Sequence, residues 1–431
     1  MSGDFTARDE RLLLEFLLYL GSGLTAAGEA VNQIQEHLLR VATAYGAADA
    51  RISVFPTFLV VSLAPGRPVT QEPTRQLGGG LRLDQTAELY RLLRAAERGE
   101  VAPAEGSRRV LEVVRTPPRF GSPVRVLGHA VLTAGICMIL KPTWGDLLLA
   151  ALFGVLIGVL KLTGARWASV QMIMPVVASF TVAAITFVLA GTGWAEADLR
   201  ALVAPLCTFL PGAMLTMAVV ELSAYEMVTG ASRLVAGILQ LGLLAFGIIG
   251  AAQAVGVPPP GSPADVAANT LGWWAPWLGT AVVGVGNYLM LAGPPRSLGW
   301  LCLVLYAGWI GQYLGGLVLG GYLSGFVGAV ALTVVAYLVE RAPGAPPALV
   351  SFLPGFWLLV PGALSLIGVT EYLGQSTVRG AEDLIDAAGS MVAIALGVLC
   401  GHPLYRALAG TLHWTRRQDD LVHPDPQGHG G

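Results

Sequence analysis

From Val126 to Gly410 only 20 of 285 residues are charged, and the apolar positions fall in long runs with brief polar breaks. A helix needs about 20 apolar residues to cross a hydrocarbon core. Runs of this kind can be placed at 126–140, 145–163, 169–190, 200–220, 233–254, 274–292, 297–313, 316–339, 348–370 and 387–409. Lipid offers no partners to backbone N–H and C=O groups, so such runs must be helical. Ten spans are expected, the first of them short.

The remaining charge is concentrated elsewhere: 29 of the 54 charged residues lie in 1–125 and five in the tail, 411–431. Residues 11–20 (RLLLEFLLYL) are too short, and too interrupted by Glu15, to span a membrane. They read as a buried soluble helix. A second helix is expected at about 25–44, where Val31, Ile34, Leu38 and Val41 form one face, with Gly46 as its stop. The stretch 52–63 is rich in β-branched and aromatic residues and is broken by Pro56, which predicts two short strands or one kinked strand. Residues 84–99 return to helix, with Asp84 as the expected cap and Leu89, Leu92 and Leu93 as the buried face. Residues 1–125 are thus expected to form a small α+β head.

The first residues, MSGDFTARDE, lack the basic start and small-residue cleavage site of a secretory signal, which places the head in the cytoplasm. Lysine and arginine are retained on the cytoplasmic side of a membrane. With the head inside, the inner loops and flanks hold Lys161, Arg166, Arg233, Arg296, Arg341, Arg406, Arg416 and Arg417. The outer ones hold only Lys141, Arg200 and Arg379. This bias favours an even number of spans with both termini inside.

An internal repeat adds a constraint. Residues 211–234 (PGAMLTMAVVELSAYEMVTGASRL) align without a gap on 361–384 (PGALSLIGVTEYLGQSTVRGAEDL). Pro211 meets Pro361, Gly212 meets Gly362, Glu221 meets Glu371, and Gly230 meets Gly380. A five-span unit that is duplicated enters the membrane from opposite sides in its two copies. The expected fold is therefore a mainly α membrane protein with ten transmembrane helices as two inverted five-helix repeats, behind a small α+β cytoplasmic domain. The expected divisions are 1–125 for the head, 126–254 and 270–410 for the repeats, and 411–431 for a flexible tail. Inverted repeats of this kind recur in secondary transporters, with the site between the halves.

The fourth and ninth spans each carry two prolines, Pro205 and Pro211 in one, Pro354 and Pro361 in the other. Proline removes a backbone donor and the adjoining glycine loosens the chain, so both helices should break there. The freed carbonyls and helix ends could hold the ammonium and carboxylate of an amino acid; the alternative is a structural kink. Candidate substrate contacts are Thr208, Pro211, Gly212, Thr216, Asn287, Pro361 and Gly362; His129, Gln171, Gln240 and Gln312 are further polar groups in the spans. Glu221 and Glu371 follow the Pro-Gly pairs by ten residues, about 15 Å of helix, and are candidates for proton coupling or gating at opposite faces. The glycines at 311, 315, 316, 320, 321 and 325 have the spacing of close helix packing.

Other classes fit less well. The four cysteines lie in apolar runs without paired spacing, which disfavours a disulfide framework or a metal site. A net charge of −2 with no basic face disfavours nucleic acid, and no Walker motif is present. His37 beside Glu36, with Ser53, Thr57 and Ser62 on the strands, leaves a membrane-anchored hydrolase as one alternative, although nothing in the spacing sets a catalytic geometry. A channel-like pore is the other. No cofactor is expected, and the oligomeric state, a homo-oligomer included, is left open.

Taken together, LGSGLTAAGEAVNQIQEHLLRVATAYG and ISVFPTFLVVSL in the head, the two five-span sets and the PG-x₈-acid pattern in each make the chain resemble the threonine/serine exporters. That resemblance implies a ten-span inner-membrane protein exporting small hydroxy amino acids, with the proton gradient as driving force. Two positions depart from the family pattern, which favours asparagine where this chain has Met217 and aspartate where it has Glu221. The amide is absent and the carboxylate is kept.

Overall fold

The protein is described by a computed structural model that covers all residues except 1–6, 65–68, 74–79, 141–142, 166, 192–198, 258–270, 321–322, 360–365, 367–368, 371–377 and 423–431. The head begins with α1 (Ala7–Ala27) and α2 (Val31–Ala44), followed by β1 (Arg51–Val54), β2 (Phe58–Ser62) and β3 (Thr70–Pro73). It ends with α3 (Leu83–Glu97) and α4 (Pro103–Arg115). The strands form an antiparallel sheet in the order β1-β2-β3. Its core is Leu13, Phe16, Leu17, Leu20 and Leu24 of α1 against Ile34, Leu38 and Val41 of α2, with Leu59 of β2 and Leu89 and Leu93 of α3.

Local detail agrees with the sequence expectation in part. The expected apolar face of α2 is buried, and α2 stops before Gly46, which has a φ of +88°. Pro56 lies in the turn between β1 and β2. Asp84 is not the cap of α3: the helix starts one residue earlier and Arg82 holds the capping position. From the first turn Asp84 instead accepts the Gln85 N–H at 2.9 Å and pairs with Arg82, where a carboxylate also suits the helix dipole. Strand β3 and helix α4 are additions to the expected order.

The apolar region contains α5 (Ser122–Ile139), α6 (Trp144–Gly164), α7 (Ala168–Gly191), α8 (Leu199–Leu206), α9 (Gly212–Ser223) and α10 (Met227–Val255). After these come α11 (Ala275–Met290), α12 (Leu298–Val318), α13 (Ser324–Glu340), α14 (Ala348–Leu359) and α15 (Val378–Val422). Among the described residues six helices are long and apolar enough to cross a membrane, and the α8–α9 pair, bent by 51°, makes a seventh. Helices α11, α13 and α14 are shorter. Large apolar side chains point outward along several of them, among them Leu148, Leu152, Val155 and Val159 on α6 and Val235, Ile238, Leu239 and Phe246 on α10. An apolar surface this continuous is unfavourable in water and suits lipid.

The most intimate packing is between α5 and α11. A Cβ on Gly286 would lie 2.3 Å from Leu132 N, and one on Gly135 would lie 2.7 Å from Val283 N. Likewise Gly128 faces Leu289 and Met290, while Gly279 faces Met138 and Ile139. As numbers rise along α5 they fall along α11, so the two helices are antiparallel. The contacts are also reciprocal: an offset of 151 (Gly128 to Gly279, Leu132 to Val283, Gly135 to Gly286) turns each contact into its counterpart. Reciprocity of this kind is what a two-fold axis between two copies produces. Elsewhere Gly247 of α10 abuts Val176 O and Phe180 N of α7, and Gly397 of α15 abuts Phe326 O and Val330 N of α13. The offset there is 150 (Gly247 to Gly397, Val176 to Phe326). Met217 of α9 packs among Leu332, Phe356 and Ile394, whereas Leu366 packs among Leu215, Leu241 and Leu244.

Head and helices meet over a broad face. Leu83 N–H donates to Leu291 O at the end of α11 (3.0 Å), and Leu83 and Ala87 pack on Val350 at the start of α14. Arg94 pairs with Glu340 at the end of α13. The Val31 N–H at the start of α2 donates to Glu221 Oε1 near the end of α9, at 3.3 Å.

Candidate functional site

Two features inside the structure have the polarity a site needs, and the first is the helix break. Helix α8 ends at Leu206, residues Cys207–Phe209 make a 3-10 turn, and Pro211 caps α9. Proline cannot donate its nitrogen to the preceding turn, so backbone groups here look for side-chain partners. The Phe209 carbonyl accepts from Gln240 Nε2 at 2.5 Å, Thr208 Oγ1 lies 3.1 Å from His129 Nε2, and the Lys161 ammonium sits 4.9 Å from the Phe209 ring centroid. Thr133 Oγ1 donates back to the His129 carbonyl. Gly212, Cys207 and Leu210 border a cavity of only about 20 Å³ that is otherwise apolar, room for about one water.

The other predicted contacts are dispersed. Thr216 and Asn287 are fully buried, on α9 and α11 respectively. Asn287 donates to its own helix at Val283 O (3.1 Å), and neither its Oδ1 nor Thr216 Oγ1 has a partner among the described residues. Pro361, Gly362 and Glu371 lie outside the described residues. Glu221 is fully buried, with Arg233 Nε of α10 at 3.0 Å from its Oε2. Thr208 and Pro211 are thus gathered at the break, while Glu221 sits against the head.

The second feature is a cavity of about 450 Å³ between α2 and α3 of the head and α9, α13, α14 and α15. Its walls carry charge of both signs. His37 has Glu97 Oε1 at 2.8 Å from Nδ1 and Glu29 Oε1 at 3.3 Å from Nε2. Arg40 Nη2 also lies 2.7 Å from Nδ1 and works against a proton there, but with a carboxylate at each ring nitrogen the imidazolium is the form that satisfies both carboxylates. Burial alone would lower the His37 pKa, but the two carboxylates outweigh it and raise it to about 9. Burial also works to raise the Glu97 carboxyl, and the hydrogen bonds from His37 and Arg40 prevail and hold it below its usual range. Tyr90 is pushed well above the ordinary phenol range by burial and then by the Glu29 charge, so it stays protonated. None of Ser53, Thr57 and Ser62 lines this cavity, and Ser62 donates to Ala64 O instead, so the structure does not bring these three hydroxyls to His37.

Glu29, Asn32, Tyr90, Glu97 and Tyr337 are the residues that sequence reasoning passed over here. Glu29 follows Gly28 in a short helix connection, where a carboxylate is ordinarily solvated; here it is only 3% exposed.

The sequence model of the threonine/serine exporter family matches residues 15–255, from within α1 to the end of α10. The chain belongs to that family. Comparison with curated proteins and with solved structures gave no match. The family match takes in most of the head, the first five apolar segments and the α8–α9 break together, and with the apolar helices it points to a multi-pass membrane protein of a transporter family. The helices from α11 onward lie beyond the matched region.

Proposed function

We propose that the protein is a secondary transporter that exports small amino acids such as threonine and serine across the bacterial inner membrane, coupled to the proton gradient. The observation that carries this reading is the family match running continuously through the head and the broken fourth span. At the break a hydroxyl, an imidazole and an ammonium, on Thr208, His129 and Lys161, gather inside an apolar bundle, a set that suits the carboxylate end of an amino acid. On this reading Thr208, Pro211, Gly212, Thr216 and Asn287, with Pro361 and Gly362 from the second copy, contribute the path between the halves. Glu221 and Glu371 carry or gate the proton at opposite ends.

The proposed architecture is ten spans in two inverted repeats, 126–254 and 270–410, with both termini cytoplasmic, the head at 1–125 and a tail at 411–431. Several observations support it. The antiparallel, reciprocal contact of α5 with α11 fits a two-fold axis lying in the membrane plane. The matched α7–α10 and α13–α15 contacts fall at the same offset of 150 as the Pro211 to Pro361 sequence repeat. The head touches the ends of α9, α11 and α13 and the start of α14, the set that ten alternating spans would bring to one face.

Flux of labelled threonine and serine in proteoliposomes, with and without an imposed pH gradient, tests the function. Saturable movement driven by the gradient is expected. Gradient-independent flux that does not saturate would favour a channel and contradict the proposal.

A further inference from the structure

The cavity beneath the head contains two acceptors short of donors. Glu29 Oε2 is buried without a well-formed hydrogen bond among the described residues, the Tyr90 phenol being the one neutral donor beside this carboxylate, and Asn32 Oδ1 in the first turn of α2 has no partner among them. Both residues line the cavity. The other carboxylates on its wall are answered: Glu36 by Arg40, Glu97 by His37 and Arg40, Glu340 by Arg94. Glu29 is only half answered, since His37 engages Oε1. A buried acceptor left unpaired is costly, more so when charged, so this pair calls for a ligand rich in N–H donors. On the α15 wall Arg406 forms no ion pair among the described residues, leaving a cation for a ligand carboxylate. The volume falls in the range of small-molecule sites.

We propose that this cavity is a second binding site of the protein, taking a small zwitterionic amino acid with its ammonium on Glu29 and Asn32 and its carboxylate toward Arg406. The head then acts as one wall of a loading site that is separate from the helix break. Met217 and Val220 of α9 line the same cavity, and Glu221 is bonded to the α2 N-terminus beside it, which ties occupancy to the broken helix. The identity of the ligand rests on the exporter reading; the demand for an ammonium rests on the side chains alone.

Calorimetric binding to the purified full chain tests this, using L-threonine, 1-amino-2-propanol, which lacks the carboxylate, and 2,3-dihydroxybutyrate, which lacks the ammonium. Threonine should bind, the amine should compete, and the hydroxy acid should not. Glu29→Gln should weaken threonine about tenfold or more, Asn32→Leu should weaken it without changing any charge, and Asn32→Asp should retain or tighten it. Each variant is paired with its unfolding temperature, and Asn32→Leu serves if Glu29→Gln does not fold. Unchanged affinity in folded Glu29→Gln and Asn32→Leu, equal competition by the hydroxy acid, or no binding to wild type would overturn the proposal. Wild-type efflux that persists alongside Glu29-independent binding removes this site and spares the exporter reading. Absent efflux with Glu29-dependent binding does the reverse.

Discussion

Glu221, buried on a helix of the apolar bundle, accepts a hydrogen bond from the backbone N–H of Val31, the first residue of a helix in the head, at 3.3 Å. An acceptor at a helix start answers one of its unsatisfied donors, and its negative charge suits the positive end of the dipole. The same carboxylate faces Arg233 at 3.0 Å. One side chain therefore joins the broken fourth span, the fifth span and the head.

Glu221→Gln keeps an acceptor for Val31 but removes the charge opposite Arg233. Breaking a buried pair on one side costs about 3 kcal/mol, less here because Arg233 retains some exposure. The variant should melt lower yet purify folded, and threonine efflux from proteoliposomes should lose much of its response to the pH gradient. An unaltered pH response would remove Glu221 from coupling.

His37 gives a pH dependence with a definite sign. Its folded pKa is raised to about 9 by Glu29 and Glu97, against burial, from an ordinary 6.5. The stabilisation is fully present below about 6.5 and is lost as pH rises through 9, with a size on the order of 3 kcal/mol at most. Melting of the purified protein should fall between pH 7 and 10, and His37→Gln should flatten that slope. Equal slopes in the two proteins would show that the imidazolium does not hold the head.

Much of this was legible in the sequence, and the rest fails for identifiable reasons. Apolar runs located the helices of the bundle because lipid leaves the backbone no other choice. The α2 face was readable since its buried positions are large and apolar. Helix α4 escaped because Gly106 and Ser107 form half of its buried face, leaving only Val110 and Val113 as a pattern. Strand β3, TQEP, has no apolar residue and exists through its pairing with β2. At the candidate site, Pro205 and Pro211 announced the break, but the meeting of Thr208 with His129 spans 79 positions and leaves no local trace. The cavity joins the head to helices beyond residue 330, and no periodicity reports that.

Gly286→Ala probes the α5–α11 contact. Its methyl would meet Leu132 backbone at 2.3 Å, and backbone cannot rotate aside. The helices must separate, at a cost of about 1–3 kcal/mol. Gly242→Ala, on α10 with open space around it, should be neutral or stabilising by about 0.5–1 kcal/mol. Thermal unfolding in detergent compares them; equal stability would contradict the close approach.

Thr208→Val removes the partner of His129 Nε2 while conserving shape. An unpaired buried group costs about 1–3 kcal/mol, so a modest drop in melting temperature is expected together with slower threonine efflux. A lower melting temperature without any change in efflux would leave the pair a structural feature only.

Sidedness of corresponding helix ends decides whether the two halves face opposite ways. Gly191 closes α7 with no described residue within 4 Å of where its Cβ would be, and Pro343 lies just past α13, its counterpart in the second half. With the four native cysteines replaced, single cysteines at these positions can be probed in intact cells with a membrane-impermeant maleimide. Labelling of Gly191→Cys from outside, and of Pro343→Cys only after permeabilisation, is the predicted result; modification of both from the same side would contradict an inverted duplication.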